Sequence, residues 1–209
     1  MCIRDRTNSS RLYVGNLGTG TLNLSGSGVV TVNSGTGTVT IASGTSASGT
    51  LNIGTGGAAG TLSAAVVNGG SGSATVNFNL TGSNTFAQKL TGAMTVNKLG
   101  SGTTTLTGSN TYTGATNVNA GTLAFDVSEK LTGGLSIGTS GTARLTAHTG
   151  GAANVKVLDL SSLNLTTGLL FADEGGIEFA SPEPVPEPGT MGLLTVGALS
   201  ALVCCRRRK

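Results

Sequence analysis

Short segments in which apolar and polar residues alternate, separated by glycine-rich turns, recur through this 209-residue chain and limit its possible folds. Four such segments are 21–25, 29–33, 38–42 and 74–80. A period of two places every second side chain on one face of a strand, so each segment has a single face to bury. Glycine reaches positive φ without steric cost, which suits the turns between them. The pattern predicts an all-β protein of short strands.

One heptapeptide is repeated: Leu80-Thr-Gly-Ser-Asn-Thr-Phe86 returns as Leu106-Thr-Gly-Ser-Asn-Thr-Tyr112. Short, repetitive strands suit a solenoid, in which each coil buries its apolar face against the next. With a coil as long as the shift between the two copies, roughly 26 positions, the predicted solenoid region, 12–181, forms about six or seven coils. Its last part, 153–180, contains more acidic residues and is interpreted as a final coil. A β-sandwich of similar strands stays open as the alternative.

Charged residues are concentrated at the C-terminus. Leu12–Gln88 contains no Asp, Glu, Lys, Arg or His, and the last four residues supply four of the twelve basic ones. The remaining eight basic residues are matched by nine acidic ones. Because a nucleic-acid-binding surface needs several cations to neutralise phosphates, nucleic acid is excluded as a partner.

The segment Lys98–Leu123 carries a glycine-rich lead-in, then Leu-Thr-Gly-Ser-Asn-Thr-Tyr-Thr-Gly, and then Val-Asn-Ala-Gly-Thr-Leu. This segment closely resembles the autotransporter-associated β-strand repeat, and the segment around Leu80 is a weaker copy. The resemblance implies a passenger-type, right-handed parallel β-helix.

The C-terminal segment, 182–209, has three parts. All four prolines lie within 182–189, where they favour an extended, exposed backbone. An uncharged stretch, 190–205, is predicted to be one transmembrane helix. The basic cluster that follows can remain on the cytoplasmic side and leave the solenoid outside the inner membrane. This cluster consists of Arg206, Arg207, Arg208 and Lys209.

In this order, the three parts resemble the PEP-CTERM sorting signal. Its motif positions here are Val185, Pro186, Glu187, Pro188 and Gly189. The resemblance implies recognition by an exosortase-type processing enzyme, transient anchoring in the inner membrane, and release or anchoring at the cell surface or in exopolysaccharide. Residues 1–11 lack the apolar stretch of a signal peptide and are interpreted as disordered or non-native.

No catalytic site, metal site or cofactor is predicted. His148 is the single histidine, and neither a serine elbow nor a phosphate-binding glycine loop accompanies it. A polysaccharide-degrading β-helix enzyme would need clustered carboxylates or basic groups on one face. The sparse candidates for such a cluster are Asp126, Glu129, Lys130, Arg144, Lys156 and Asp159.

The function predicted is that of a non-enzymatic, exported structural or adhesive protein of the bacterial surface or extracellular matrix. The alternative is a carbohydrate- or ice-binding module that uses repeated hydroxyls on strand faces. Three threonine pairs are candidates for such a face: Thr38 with Thr40, Thr103 with Thr105, and Thr111 with Thr113. Threonine is also simply a favourable outward residue in strands.

Overall fold

The computed structural model describes residues 10–126, 133–146, 169–173, 176–180, 191–196 and 199–205, with side chains in 10–125 and 133–144. These residues form eighteen strands and one short 3-10 helix, Asn33–Gly35. The strands are β1 (Arg11–Val14), β2 (Thr19–Leu24), β3 (Val29–Thr31), β4 (Thr38–Ile41), β5 (Ser48–Gly57), β6 (Thr61–Ser63), β7 (Val66–Gly69), β8 (Ser73–Leu80), β9 (Ser83–Phe86), β10 (Lys89–Gly92), β11 (Thr95–Lys98), β12 (Thr103–Leu106), β13 (Thr116–Asp126), β14 (Leu135–Thr146), β15 (Leu169–Asp173), β16 (Gly176–Ala180), β17 (Met191–Val196) and β18 (Leu199–Cys205).

The strands from β1 to β14 form a parallel solenoid, not a sandwich. Each coil contributes to up to three rows of strands, and each strand pairs in parallel with its counterpart in the next coil. The first row is β1, β4, β7 and β10, and the second is β2, β5, β8, β11 and the first parts of β13 and β14. The third consists of two ladders, β3–β6 and β9–β12–β13–β14. The handedness of the coils stays a prediction.

The number of coils, about six, agrees with the prediction, but the predicted coil length, that of the sequence repeat, is wrong. In the second row Asn23 is bonded to Asn52, 29 positions on, whereas Asn97 is bonded to Asn117, only 20 positions on. The repeated heptapeptides do not stack on each other. Phe86, the last residue of the first copy, lies opposite Leu106, the first residue of the second. Register follows the burial of alternate apolar side chains, which need not follow the identity of a motif.

The core is a set of apolar columns that run along the solenoid axis. In the second row one column places Leu24, Ile53 and Phe78 above one another, and all three side chains are buried. Strand β8 shows the alternation directly, since every second residue from Ala74 to Leu80 is buried. Each fully buried Leu, Ile or Phe side chain contributes about 1.5–3 kcal/mol. The columns therefore hold neighbouring coils together.

The parallel ladder ends at β14. Strand β16 pairs with β14 in the antiparallel direction, with Arg144 opposite Glu178, and β15 pairs with β16, also antiparallel. The region interpreted as a final coil thus contributes antiparallel strands where it is described. Residues 147–168 lie outside the described part of the chain.

The structure does not show the transmembrane helix predicted over 190–205. Met191–Val196 and Leu199–Cys205 pair as antiparallel strands, with Met191 opposite Cys204 and Val196 opposite Leu199. A short apolar run cannot be assigned to helix or strand by periodicity alone, and its glycine and β-branched residues disfavour a helix. Among the described residues, no helix has the length and apolar character needed to cross a membrane. The proline-rich segment 182–189 lies outside the described residues.

Candidate functional site

The outward side of the second strand row carries the most regular array of polar side chains in the described solenoid. One column consists of threonines and a second, two residues further along each strand, consists of asparagines. We call this surface the Thr–Asn face. Its members are Thr21, Thr50, Thr75 and Thr95, together with Asn23, Asn52, Asn77, Asn97 and Asn117.

The asparagines form a continuous hydrogen-bonded ladder across five coils, because each amide nitrogen donates to the amide oxygen of the preceding coil. The four bonds run from Asn52 to Asn23 (2.7 Å), Asn77 to Asn52 (2.8 Å), Asn97 to Asn77 (2.8 Å) and Asn117 to Asn97 (2.8 Å). An amide has two N–H donors and an oxygen with two lone pairs. The ladder fixes the asparagine rotamers and leaves each inner amide with one donor and one lone pair.

The threonine column is open to solvent. Thr21 is exposed. Thr50, Thr75 and Thr95 are half-exposed, because each lies between the strands of the two adjacent coils. Within residues 10–126, the structure gives the hydroxyls of Thr50, Thr75 and Thr95 no hydrogen-bond partner. Neighbouring coils are separated by about 4.8 Å, and the Thr and Asn columns by about 6.6 Å, as strand geometry requires. The face is thus a regular grid of free hydroxyls and aligned amides.

The threonine pairs selected from the sequence do not form one face. Thr38 and Thr40 lie in the first row, and Thr103 and Thr105 lie in the third. Thr111 and Thr113 precede β13 and lie in no strand. The signal that was missed is Thr-x-Asn, which begins on this face at residues 21, 50, 75 and 95. The same triplet at 31–33 runs from the last residue of β3 to the first of the 3-10 helix, outside the face.

Lys98 is the one charged residue among the fully buried side chains of the described residues. It takes the inward position opposite Phe78 and Val118, where the column is otherwise apolar. Its ammonium donates to the backbone oxygen of Gly100 and, at 3.3 Å, to that of Ala120. Burial lowers the pKa of Lys98 to about 8. The lysine joins the corners of two successive coils from inside the solenoid.

The fifth coil has no strand in the first row, but its backbone N–H groups at Thr111 and Thr113 donate to the backbone oxygens of Leu90 (2.8 Å) and Gly92 (3.0 Å) in β10, and interior side chains complete its closure. Tyr112 is buried, and its hydroxyl shares a 2.7 Å hydrogen bond with the buried hydroxyl of Thr116. The amide oxygen of Asn110 accepts a bond from the backbone N–H of Leu90 in the coil before. These contacts replace part of the ladder that a strand would form. They use the Asn and Tyr of the repeat motif, so its polar residues serve the packing of the coil.

Residues that could support catalysis or metal binding are not gathered in the described part of the chain. No group of three His, Cys, Asp or Glu residues is placed there to hold a metal ion. Arg144 is exposed on β14. His148 and four of the other five candidates lie outside the described residues: Glu129, Lys130, Lys156 and Asp159. The fifth, Asp126, ends β13. The sorting positions 185–189 and the basic cluster 206–209 also lie outside them.

Comparisons with known proteins agree with the two resemblances. Residues 96–125, from β11 to the third-row part of β13, match the passenger-associated-transport-repeat family. Residues 184–209 match the PEP-CTERM protein-sorting motif. The adhesin BmaC autotransporter of Brucella suis biovar 1 (strain 1330) is 40% identical over an alignment of 106 residues. The match covers 46% of this chain but only 3% of that protein. No solved structure matches the chain. The chain therefore carries a passenger-associated-transport repeat within its solenoid and a PEP-CTERM protein-sorting motif at residues 184–209.

Proposed function

We propose that this chain is an exported, non-enzymatic structural or adhesive protein of the bacterial surface or extracellular matrix. The observation that carries the proposal is the joining of a sorting motif to a stacked, nearly uncharged solenoid that contains a passenger-type repeat. The similarity to an adhesin supports the adhesive role. In this role the solenoid is a spacer that holds its outward faces away from the cell.

In this proposal the C-terminal segment, 182–209, directs the chain to the cell surface or the matrix. An exosortase-type enzyme recognises Val185–Gly189, where the prolines favour an extended backbone that fits an enzyme cleft. We infer that the precursor is held at the inner membrane before cleavage, with the basic cluster 206–209 on the cytoplasmic side. Processing then releases the solenoid to the surface or into exopolysaccharide.

The sorting step is tested by the double variant Pro186→Ala, Pro188→Ala, expressed in a host that has an exosortase-type enzyme. We expect the variant to keep its full mass and to remain in the inner-membrane fraction, while the wild-type chain is shortened and reaches the surface. The matched control is Pro182→Ala, which removes a proline outside the core motif. Equal processing of the double variant and the wild-type chain would refute the proposal.

A second candidate function is a carbohydrate- or ice-binding module, and the Thr–Asn face favours it. The face presents the same hydroxyl groups at successive coils. A ligand with a repeating structure can therefore form several identical hydrogen bonds at once. Thermal hysteresis measurements and a glycan array separate the two ligand classes. A chain that scores in neither assay acts as an inert spacer.

A further inference from the structure

We propose that the Thr–Asn face binds an extended, uncharged polysaccharide that lies along the stack of coils. The inference deepens the adhesive function proposed above and rests on it for the chain's location only. It assigns the contact to one side of the solenoid. The first row, which contains Thr38 and Thr40, and the third row, which contains Thr103 and Thr105, are outside the site.

Charge selects the class of ligand. The first three coils contain no charged residue from Leu12 to Gln88, and only Lys89 and Lys98 are charged between 89 and 125. Lys89 lies in the first row, and Lys98 points into the core. The face thus has no cation to attract a carboxylate or phosphate and no anion to attract a basic partner. An uncharged ligand complements it.

Hydrogen-bonding capacity selects the ligand's functional groups. The hydroxyls of Thr50, Thr75 and Thr95 can each donate one bond and accept two, and every inner amide of the ladder retains a donor and an acceptor site. Sugar hydroxyls have the same dual character, so either orientation of a sugar ring finds partners. A protein partner would instead require an aromatic or Arg anchor at the centre of its interface. None of the Thr–Asn columns provides an apolar pocket for such an anchor.

The face is organised before the ligand arrives. The ladder fixes the asparagine rotamers, and β-branched threonine has little freedom at χ1, so binding orders few side chains. Single contacts to hydroxyls are weak. Five coils repeat them over about 19 Å, which gives a polymer several simultaneous contacts. Affinity should therefore rise with the length of the sugar chain.

The experiment measures co-sedimentation of the full-length chain with a panel of uncharged polysaccharides (cellulose, mannan, galactan and dextran) and with anionic polygalacturonate. The test variant is Thr50→Val, Thr75→Val, Thr95→Val, which removes three hydroxyls and keeps shape and strand preference. The matched control is Thr38→Val, Thr40→Val, Thr105→Val, with the same changes at half-exposed positions in the other two rows. Far-ultraviolet circular dichroism confirms that both variants keep the wild-type fold.

We expect the wild-type chain to bind at least one uncharged polysaccharide, equally at low and high salt, and not polygalacturonate. The test variant should bind about tenfold or more weakly, since three hydrogen-bonding groups are lost, and the control should bind as the wild type does. Equal weakening of both variants, failure to bind any uncharged polysaccharide, or thermal hysteresis in place of sugar binding would overturn the inference. Because surface display is measured separately, a chain that is displayed but binds no polysaccharide refutes this inference and leaves the sorting proposal intact.

Discussion

Asn77 donates a hydrogen bond from its side-chain amide to that of Asn52, 2.8 Å away, although the two residues are 25 positions apart. Asn77 also accepts a bond of the same length from Asn97. Stacking of coils in register is what makes both bonds possible, since each asparagine lies directly opposite the next. The ladder therefore shows which residues of neighbouring coils lie opposite each other in the second row.

Replacement of Asn77 by Ala should destabilise the solenoid by about 1–2 kcal/mol, because two partly buried hydrogen bonds are lost. The measurement is the free energy of unfolding from urea denaturation. Asn79→Ala is the matched control, since Asn79 lies on the same strand and outside the ladder, and we expect a change within about 0.5 kcal/mol. Equal effects of the two variants would show that the ladder contributes nothing to stability.

Gly121→Ala should destabilise the protein by about 2–3 kcal/mol, chiefly through backbone strain. The residue has φ +65°, and an added Cβ would lie 2.4 Å from the backbone oxygens of both Gly100 and Gly102. Strain in the left-handed region alone costs roughly 1–3 kcal/mol, and backbone oxygens cannot move aside without opening the coil corner. Gly82→Ala, where no atom lies within 4 Å of the added Cβ, is the control and should leave the urea midpoint nearly unchanged.

Tyr112→Phe should cost about 1–3 kcal/mol, because the buried Thr116 hydroxyl loses its partner. The double variant Tyr112→Phe, Thr116→Val should be more stable than Tyr112→Phe alone, since both polar groups are then removed from the interior. A double-mutant cycle by urea denaturation measures the coupling. Additive effects of the two substitutions would contradict a direct bond.

Stability should rise with pH between about 8 and 10.5 because of Lys98. Burial lowers the pKa of its ammonium to about 8 in the folded chain, from 10.5 in the unfolded one. Between these values the unfolded chain holds a proton that the folded chain has released, so raising the pH favours folding. Below about pH 8 both states are protonated and the penalty of the buried charge is fully present.

The expected gain across this window is on the order of 2–3 kcal/mol. Urea denaturation at several pH values measures it in the wild-type chain and in Lys98→Met, which has no titrating group at this position. The difference between the two proteins should grow over the window in favour of the wild type. A pH-independent difference would mean that Lys98 titrates normally in the folded state.

Several elements followed from local sequence alone. The alternation in 21–25 and 74–80 predicted β2 and β8, because a strand with one buried face leaves this pattern in any fold. The repeat resemblance predicted a solenoid in place of a sandwich. The stretch 190–205 forms two strands where a helix was predicted, since an apolar run of that length satisfies both a helix and a pair of strands.

The sequence by itself determined that this chain is built of short, one-sided, nearly uncharged strands and that it carries a sorting motif. Only the tertiary structure decided which residues meet. The spacing between stacked asparagines falls from 29 positions, between Asn23 and Asn52, to 20 positions, between Asn97 and Asn117, so no fixed period reveals the alignment of the Thr-x-Asn segments. Burial of apolar columns sets that register across coils, and the same register turns Lys98 inward and brings the five asparagines into one ladder.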